Sequence, residues 1–512
     1  MGRKSQSKQN SKKSNKQTKQ KDQTGTENNK FVLQKRKELS VLVDKLFRLT
    51  STFQTSPKLS KTWDHHLEID KIIKEINNIE CSFIKQSTQN PRQSNIATFI
   101  KWMKDNEAHF EVMPTTTLLI TGIEIAEFEG YDLGLKATEN FNEDSLILTV
   151  PRKVMISEKN ARDSELADFI AVDPLLQNMP NIMLALFLLL EKNKTDSFWK
   201  PYIDILPEKY TTVLYFTEDE LLDLKPSPVF ESSLKLYRSI ARQYAYFYIK
   251  IHTLDIPALQ NLRGVFTYDN YRWAVSTVMT RQNNLRLSDT DTTAFIPLWD
   301  MCNHEHGKMT TDFNKELNRA ECYALRNFKA GEQIFIFYGA RPNADLFLHN
   351  GFVYPNNQHD SVSLSQGIST GDPLRPAKLA LLAKLGLAGV THYHVYRGDH
   401  PVSAELLAFI RIFNMNEEEL ERWSSLSLPG ELVSCEEPAA AAVGAALERR
   451  ALRYLATRCR LIRAAYAHRA GDAPDNAHRR NIKLLKECKV QILDGAINYL
   501  ENVLQKLPTI DE

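Results

Sequence analysis

Three short stretches of this chain gather side chains that could hold and orient a polar ligand. Trp299-Asp300-Met301-Cys302-Asn303-His304 places a carboxylate, a carboxamide and an imidazole where the apolar run from Ile296 ends. Gln333-Ile-Phe-Ile-Phe-Tyr-Gly339 is a second apolar, strand-like run, and it ends in a tyrosine before a glycine. Arg281-Gln282-Asn283, upstream of both, adds a guanidinium and two carboxamides. Two strands that deliver polar groups to one point build a site on a rigid frame. Singly, each group has a blander reading. Polar residues at a strand end cap turns, and amides at a helix C-terminus satisfy local backbone groups.

The elements that would position these groups follow from hydrophobic spacing. Leu39, Leu42, Val43, Leu46 and Leu67, Ile69, Ile72, Ile73, Ile76 recur at helical intervals, so two or three helices are expected within 31–89. Phe99-Ile-Lys-Trp102 looks like the start of the main domain, and 107–124 fit no clear element. From about 123 the pattern turns to short strands, such as Ser145-Leu-Ile-Leu-Thr-Val150. Residues 176–275 read as helical, including Ile182 to Leu190 and Ala241 to Ile251, and Tyr268 to Val278 closes that block. Strands are expected again at Ala294 to Trp299. Cys322 to Leu325 and Gln333 to Tyr338 flank Asn327-Phe-Lys-Ala-Gly331, which predicts a hairpin. After about 370 the chain reads as helical to its end, with an Ala/Arg-rich run at 439–470 and a final helix near 477–507. The Arg449 to Arg463 stretch reads as the solvated face of an amphipathic helix. The expected organisation is a basic tail (1–30), an N-terminal helical region (31–119), a β domain (120–340) with a helical insert at about 176–275, and a C-terminal helical domain (341–512).

Composition narrows the partners. The 512 residues are 42% hydrophobic and 25% charged, an ordinary globular balance. Residues 1–30 carry nine Lys/Arg against two acids and no large apolar residue after Met1, which suits a disordered, solvated tail better than an RNA-binding or nuclear-import element. The remainder holds 56 basic and 61 acidic residues, so a nucleic-acid partner has little electrostatic support. Six cysteines stand singly with no CxxC, which indicates neither a zinc knuckle nor a disulfide framework and suits a reducing compartment. The pairs His65/His66, His304/His306 and His392/His394 have no partner pair at ligand spacing, so no metal is expected. No run is long enough to span a membrane.

Together the stretches resemble the SET-domain methyltransferases. Asn303-His304 resembles their Asn-His motif, Phe337-Tyr338-Gly339 the motif with the active-site tyrosine, and Glu129-Gly-Tyr-Asp-Leu-Gly-Leu135 the opening glycine-rich hairpin. The last departs from the usual EGxGL pattern, which aligns Tyr131, Asp132 and Leu133 with the cofactor-contacting triplet through main-chain contacts. A helical insertion and a helical C-terminal lobe, without a cysteine-rich segment, are similar to the RuBisCO large-subunit methyltransferase group. Within it, Ser197-Phe-Trp-Lys-Pro-Tyr202, Ala241-Arg-Gln-Tyr-Ala-Tyr-Phe-Tyr248, Tyr271-Arg-Trp-Ala-Val-Ser276 and Val278-Met-Thr-Arg-Gln-Asn283 resemble the actin-histidine N-methyltransferases. The likeness runs from about Arg92 to Phe352, and more weakly beyond.

The resemblance implies an α+β SET fold with an inserted helical subdomain and an all-α C-terminal substrate-binding lobe. It implies S-adenosyl-L-methionine as methyl donor and the tele nitrogen of an actin histidine as acceptor. Arg92, Tyr131, Asp132, Leu133, Arg281, Asp300, Met301, Cys302, Asn303, His304 and Asn350 would bind the cofactor. Asn350 stands where close relatives have a serine. Trp299, Ile336 and Arg341 would line the peptide groove, and Asn283 and Tyr338 would orient the acceptor. It also implies a cytoplasmic location, with a nuclear share. Chemistry agrees with an imidazole acceptor. A free histidine is roughly three-quarters neutral at pH 7 and a free lysine only about 0.04%. Such an acceptor needs no strong base, only the right tautomer. An asparagine oxygen that accepts one imidazole N–H selects it, and about 1 kcal/mol biases two tautomers roughly five-fold. The rival readings are a protein-lysine methyltransferase of the same group and a non-enzymatic peptide-binding module.

Overall fold

The computed structural model describes residues 32–52, 59–82, 92–106, 122–286, 292–426, 430–434, 443–466 and 475–508. The basic segment 1–30 and most of 107–124 lie outside them.

The site is framed by small sheets. β1 (Ile123–Phe128) and β2 (Asp132–Ala137) form an antiparallel hairpin, followed by β3 (Leu146–Pro151) and β4 (Ile156–Ser157). After the helical insert come β5 (Asn283–Leu285), β6 (Thr292–Phe295), β7 (Asn303–His304), β8 (Thr311–Asn314), β9 (Arg319–Tyr323) and β10 (Gln333–Ile336). The sheets run β1-β2-β10-β7, β3-β9-β8 and β4-β6-β5. β10 decides the site. It lies antiparallel to β2 (Ile334 opposite Leu135) and parallel to β7 (Phe335 opposite Asn303, Ile336 opposite His304). That register sets Asn303-His304 beside the chain that continues to Tyr338.

Two expectations are corrected. The hairpin joining Cys322–Leu325 to Gln333–Tyr338 does not form; β9 pairs with β3 and β8 instead. The turn exists, with Gly331 at φ +93° and Glu332 accepting from the Lys329 N–H. It carries the chain between sheets, because Ile334 and Ile336 are buried beside β2 and β7. A turn signal reports a reversal, not which edge receives the strand. The Ala294–Trp299 strand is also shorter than expected. It ends at Phe295, Leu298 turns at φ +70°, and Trp299–Met301 form one 3-10 turn.

Helices from Glu158 to Arg281 separate β4 from β5. Pro180–Asn193 is buried on all sides from Ile182 to Glu191, as a helix apolar all round must be. It packs against Tyr268–Arg281, the helix that delivers Arg281, Gln282 and Asn283. That helix is capped by Thr267 Oγ1 on the Asn270 N–H. Its first N–H is met by the buried Glu80 of the N-terminal helix Leu59–Cys81, which also accepts from Tyr244 Oη at 2.6 Å. The N-terminal helices, 32–51 and Leu59–Cys81, share one core with the β domain.

The C-terminal lobe has its own apolar core. It is mainly helical, but the expectation of an all-α lobe is corrected by one hairpin, β11 (Ser361–Ser365) with β12 (His392–Tyr396), whose alternating apolar residues cover the lobe's core. In these strands Val362, Leu364, Tyr393 and Val395 alternate inward. Arg450, Arg460 and Arg463 pair with Glu419, Glu501 and Asp494 at the exposed edge of Ala445–Ala465. The last helix, Ala477–Lys506, ties this lobe to the rest: Asn481 Nδ2 donates to Gly351 O at 2.8 Å, and buried Lys489 meets Asp360 at 2.7 Å. Gly351 sits at φ +79°, and a Cβ there would lie 2.7–2.9 Å from Thr211 and Thr212, so only glycine fits this junction. Among the described residues no helix is long and apolar enough to cross a membrane, and no group of three metal-ligating side chains occurs.

Candidate active site

A cavity of about 340 Å³ opens where the helix end, the 3-10 turn and the end of β10 meet. Its walls include Arg281, Asn283, Trp299, Asp300, Cys302, Ile336, Tyr338, Arg341 and Asn350, all expected site residues. Its size lies within the range of small-molecule sites. Gln282, Met279, Thr280, Phe337, Met309 and His349 line it as well and were not foreseen. For Gln282 the signal was present in the Arg-Gln-Asn run. His349 and Met309 come from distant segments and carry no local pattern.

Tyr338 is fixed from two sides. Its hydroxyl donates to Cys302 O at 2.7 Å, and its backbone N–H donates to His304 Nδ1 at 3.2 Å. Burial pushes the hydroxyl pKa up, so it stays protonated at neutral pH and orients rather than ionises. We expect Tyr338→Phe, which keeps the ring and loses the anchor, to lower turnover about ten-fold. Single-turnover kinetics check this, and an unchanged rate would remove Tyr338 from positioning.

His304 faces inward, among Tyr338, Phe337, Phe352 and Tyr354. Its ring is a strut, not a cavity wall. Accepting at Nδ1 places the proton of the neutral ring on Nε2. Burial, opposed by a backbone hydrogen bond at Ile336, pushes it from 6.5 down to about 4. The unfolded chain therefore binds more protons between these values. The stabilisation is complete above pH 6.5 and is lost as pH falls towards 4, by roughly 3 kcal/mol. Denaturant midpoints of wild type and His304→Phe between about pH 4.5 and 7.5 test this. Parallel curves would show that His304 titrates normally.

Beneath the cavity lies a buried ionic chain. Arg281 Nη1 donates to Asp300 O at 2.8 Å and sits 3.3 Å from Asp300 Oδ1. Tyr202 Oη donates to Asp300 Oδ2. Burial pulls Arg281 down, but Asp300 together with Tyr210, Tyr202 and Tyr338 more than offsets it, so the guanidinium stays charged. Burial pushes Asp300 up, against the pull of Arg281 and Tyr202. Arg281 Nε and Asp300 Oδ1 are buried without a hydrogen-bond partner in the protein. Tyr202, from the Ser197–Tyr202 motif, was not foreseen as part of this chain; helix Lys200–Ile203 brings it in across 98 residues.

Asn283 opens β5, opposite Ala294 of β6. Its Nδ2 donates to Arg281 O at 3.1 Å, the local backbone contact that a helix end predicts. The same contact orients the amide, leaving its oxygen as the end that can accept an N–H from a ligand. Arg92 opens a 3-10 turn beside the cavity; it does not line the wall, but its charge acts on Arg281 and Asp300, which do. Its Nε donates to Ile205 O at 2.6 Å, its Nη1 meets Asp132 Oδ2 at 2.5 Å, and the nearby Arg281 charge disfavours its own after burial.

The other expected residues have more structural surroundings. Asn303 Nδ2 donates to Gln333 Oε1 at 2.9 Å beside Gly134, where a Cβ would stand 3.1 Å from that nitrogen. Leu133 and Met301 are core residues. Tyr131 is half exposed, its ring edge-on to Phe335. Trp299 Nε1 donates to Thr311 Oγ1 at 2.6 Å, and Ile336 is buried. Arg341 Nη1 holds Asn350 Oδ1 at 2.7 Å, which links an expected groove residue to an expected cofactor residue.

The SET domain family matches residues 132–339, and the Rubisco LSMT substrate-binding family matches residues 369–507. Over 387 residues the chain is 42% identical to the actin-histidine N-methyltransferase of Gallus gallus, covering 75% of this chain and 63% of that protein. The Homo sapiens actin-histidine N-methyltransferase is 39% identical with the same coverage. The chain thus spans 63% of the length of these relatives. Among solved structures, Rubisco LSMT bound to AdoMet aligns at a TM-score of 0.61 and 22% identity, over 82% of this chain and 93% of that one. The SET domain of LSMT bound to lysine and AdoHcy aligns at 0.62 and 21% identity, over 81% and 92%. At that identity the likeness is one of fold.

Proposed function

We infer the function from the premise that this chain belongs to the SET-domain family and carries a Rubisco LSMT-type substrate-binding domain. It transfers one methyl group from S-adenosyl-L-methionine to the tele nitrogen of a histidine in actin. The observation that carries this reading is one cavity in which the Asn283 amide, the anchored Tyr338 and the Arg281–Asp300 pair converge. The names of the curated relatives support the histidine and actin.

The residues fit the cofactor. The buried Arg281 Nε offers a donor that the protein itself leaves without a hydrogen-bond partner. Arg281 and Arg92 would face the cofactor's carboxylate, and Asp300 and Cys302, which line the cavity, would hold its polar end. When bound, the cofactor supplies an electrophilic sulfonium methyl. The Asn283 oxygen would accept the N–H of one imidazole nitrogen and leave the lone pair of the other aimed at that methyl. Tyr338 would pack beside the ring. After transfer, the proton on the Asn283-facing nitrogen leaves to water through the cavity mouth. No side chain of the cavity need act as a strong base, and most of the rate comes from holding the reactants in line.

Mass spectrometry of actin after incubation with the protein and cofactor tests the reading. A methyl on a histidine tele nitrogen is expected; methylation of lysine alone would favour the rival lysine enzyme. We propose a cytoplasmic location, and a nuclear one beside it.

A further inference from the structure

The turn between β1 and β2 holds a contact that the proposed reaction does not use. Arg92 is pinned: its Nε is spent on Ile205 O, and its side chain is only 12% exposed. The carboxylate on its Nη1, from Asp132, is 58% exposed and can rotate into water. The two cationic groups at this corner are therefore balanced differently. Arg281 has Asp300, buried and locked by Tyr202, whereas Arg92 has a carboxylate on a surface turn. Asp132 stands at φ +64°, a left-handed conformation that aspartate and asparagine tolerate better than most residues. It lies in the stretch between Gly130 and Gly134 where this chain departs from the EGxGL pattern.

We propose that Asp132 is an internal counter-ion that competes with the α-carboxylate of S-adenosylmethionine for Arg92. This rests on the cofactor reading above. A carboxylate arriving at Arg92 must displace Asp132 or sit beside it, and two carboxylates on one guanidinium repel. Asp132 thus weakens cofactor binding. S-Adenosylhomocysteine carries the same carboxylate, so Asp132 also shortens the stay of the product, a step that often limits turnover.

Titration calorimetry on the full chain tests this with three probes: S-adenosylmethionine, S-adenosylhomocysteine, and 5′-methylthioadenosine, which lacks the amino-acid end. Asp132→Asn removes the charge and keeps the turn. It should tighten the first two by about three- to ten-fold, a size set by an exposed partner, and leave methylthioadenosine unchanged. Stopped-flow displacement should show slower S-adenosylhomocysteine release, and in an Arg92→Met background the gain should vanish. Unchanged or weaker S-adenosylmethionine binding, or equal tightening of methylthioadenosine, would overturn the proposal. A wild-type protein that binds none of the three probes would overturn the cofactor reading, and this inference with it.

Discussion

Replacing Asn283 by phenylalanine is expected, on the proposed function, to lower kcat/KM for a histidine-bearing actin peptide by about two to three orders of magnitude. Two effects combine. The variant loses the amide oxygen that would select the tautomer, and it fills part of a cavity of about 340 Å³ with a ring. Asn283→Ala separates them. It removes the acceptor without adding bulk, and should cost about ten-fold or somewhat more. The fold should tolerate both changes, because Asn283 is half-buried and its one local bond is to Arg281 O. Peptide methylation is measured with histidine or lysine at the acceptor position. A Phe variant that keeps wild-type activity on histidine would remove Asn283 from the acceptor site. Activity gained on lysine would show that this position discriminates between the two acceptors.

The second large effect is on stability. Asp300→Ala leaves the Arg281 guanidinium and the Tyr202 hydroxyl buried without their shared partner. Removing one member of a buried pair costs more than the pair contributes, because the remaining charge stays desolvated. We expect a loss of roughly 3–5 kcal/mol, seen as an earlier denaturant midpoint. Tyr202→Phe, which removes one hydrogen bond to the same carboxylate, should cost only about 1 kcal/mol. Equal losses for the two variants would mean that the pairing of Asp300 with Arg281 adds nothing beyond its hydrogen bond with Tyr202. Loss of cofactor binding in Asp300→Ala would follow from the freed Arg281, so the stability measurement is made without ligand.

How the site reads in the sequence depends on the distance over which its parts are joined. Asp300 to His304 and Phe337 to Gly339 are recognisable because each motif is contiguous: the backbone itself sets the spacing of its polar groups. Arg281-Gln282-Asn283 is legible for the same reason, as the end of an apolar-faced helix. Helical spacing located Pro180–Asn193, Val229–Thr253 and Tyr268–Arg281, since burial on one or all faces imposes a period. The β11–β12 hairpin, in a lobe expected to be all-α, is different: its period-two trace is only two apolar residues per strand, Val362 and Leu364, Tyr393 and Val395, too short to stand out from helical spacing.

Pairing across distance left no such trace. β9 and β10 flank a clear turn, yet they join different sheets, because the free edges of β2 and β7 determine where buried Ile334 and Ile336 go. Tyr202 reaches Asp300 across 98 residues, and Arg92 reaches Asp132 across 40. The sequence by itself determined which side chains could bind and orient a polar ligand, since short contiguous motifs fix their types and spacing. Only the tertiary structure decided which of them face one cavity and which serve as struts. Asn283 and Tyr338 line it while His304 and Asn303 brace it, because the parallel register of β10 on β7 turns the imidazole inward and sends the following tyrosine to the wall.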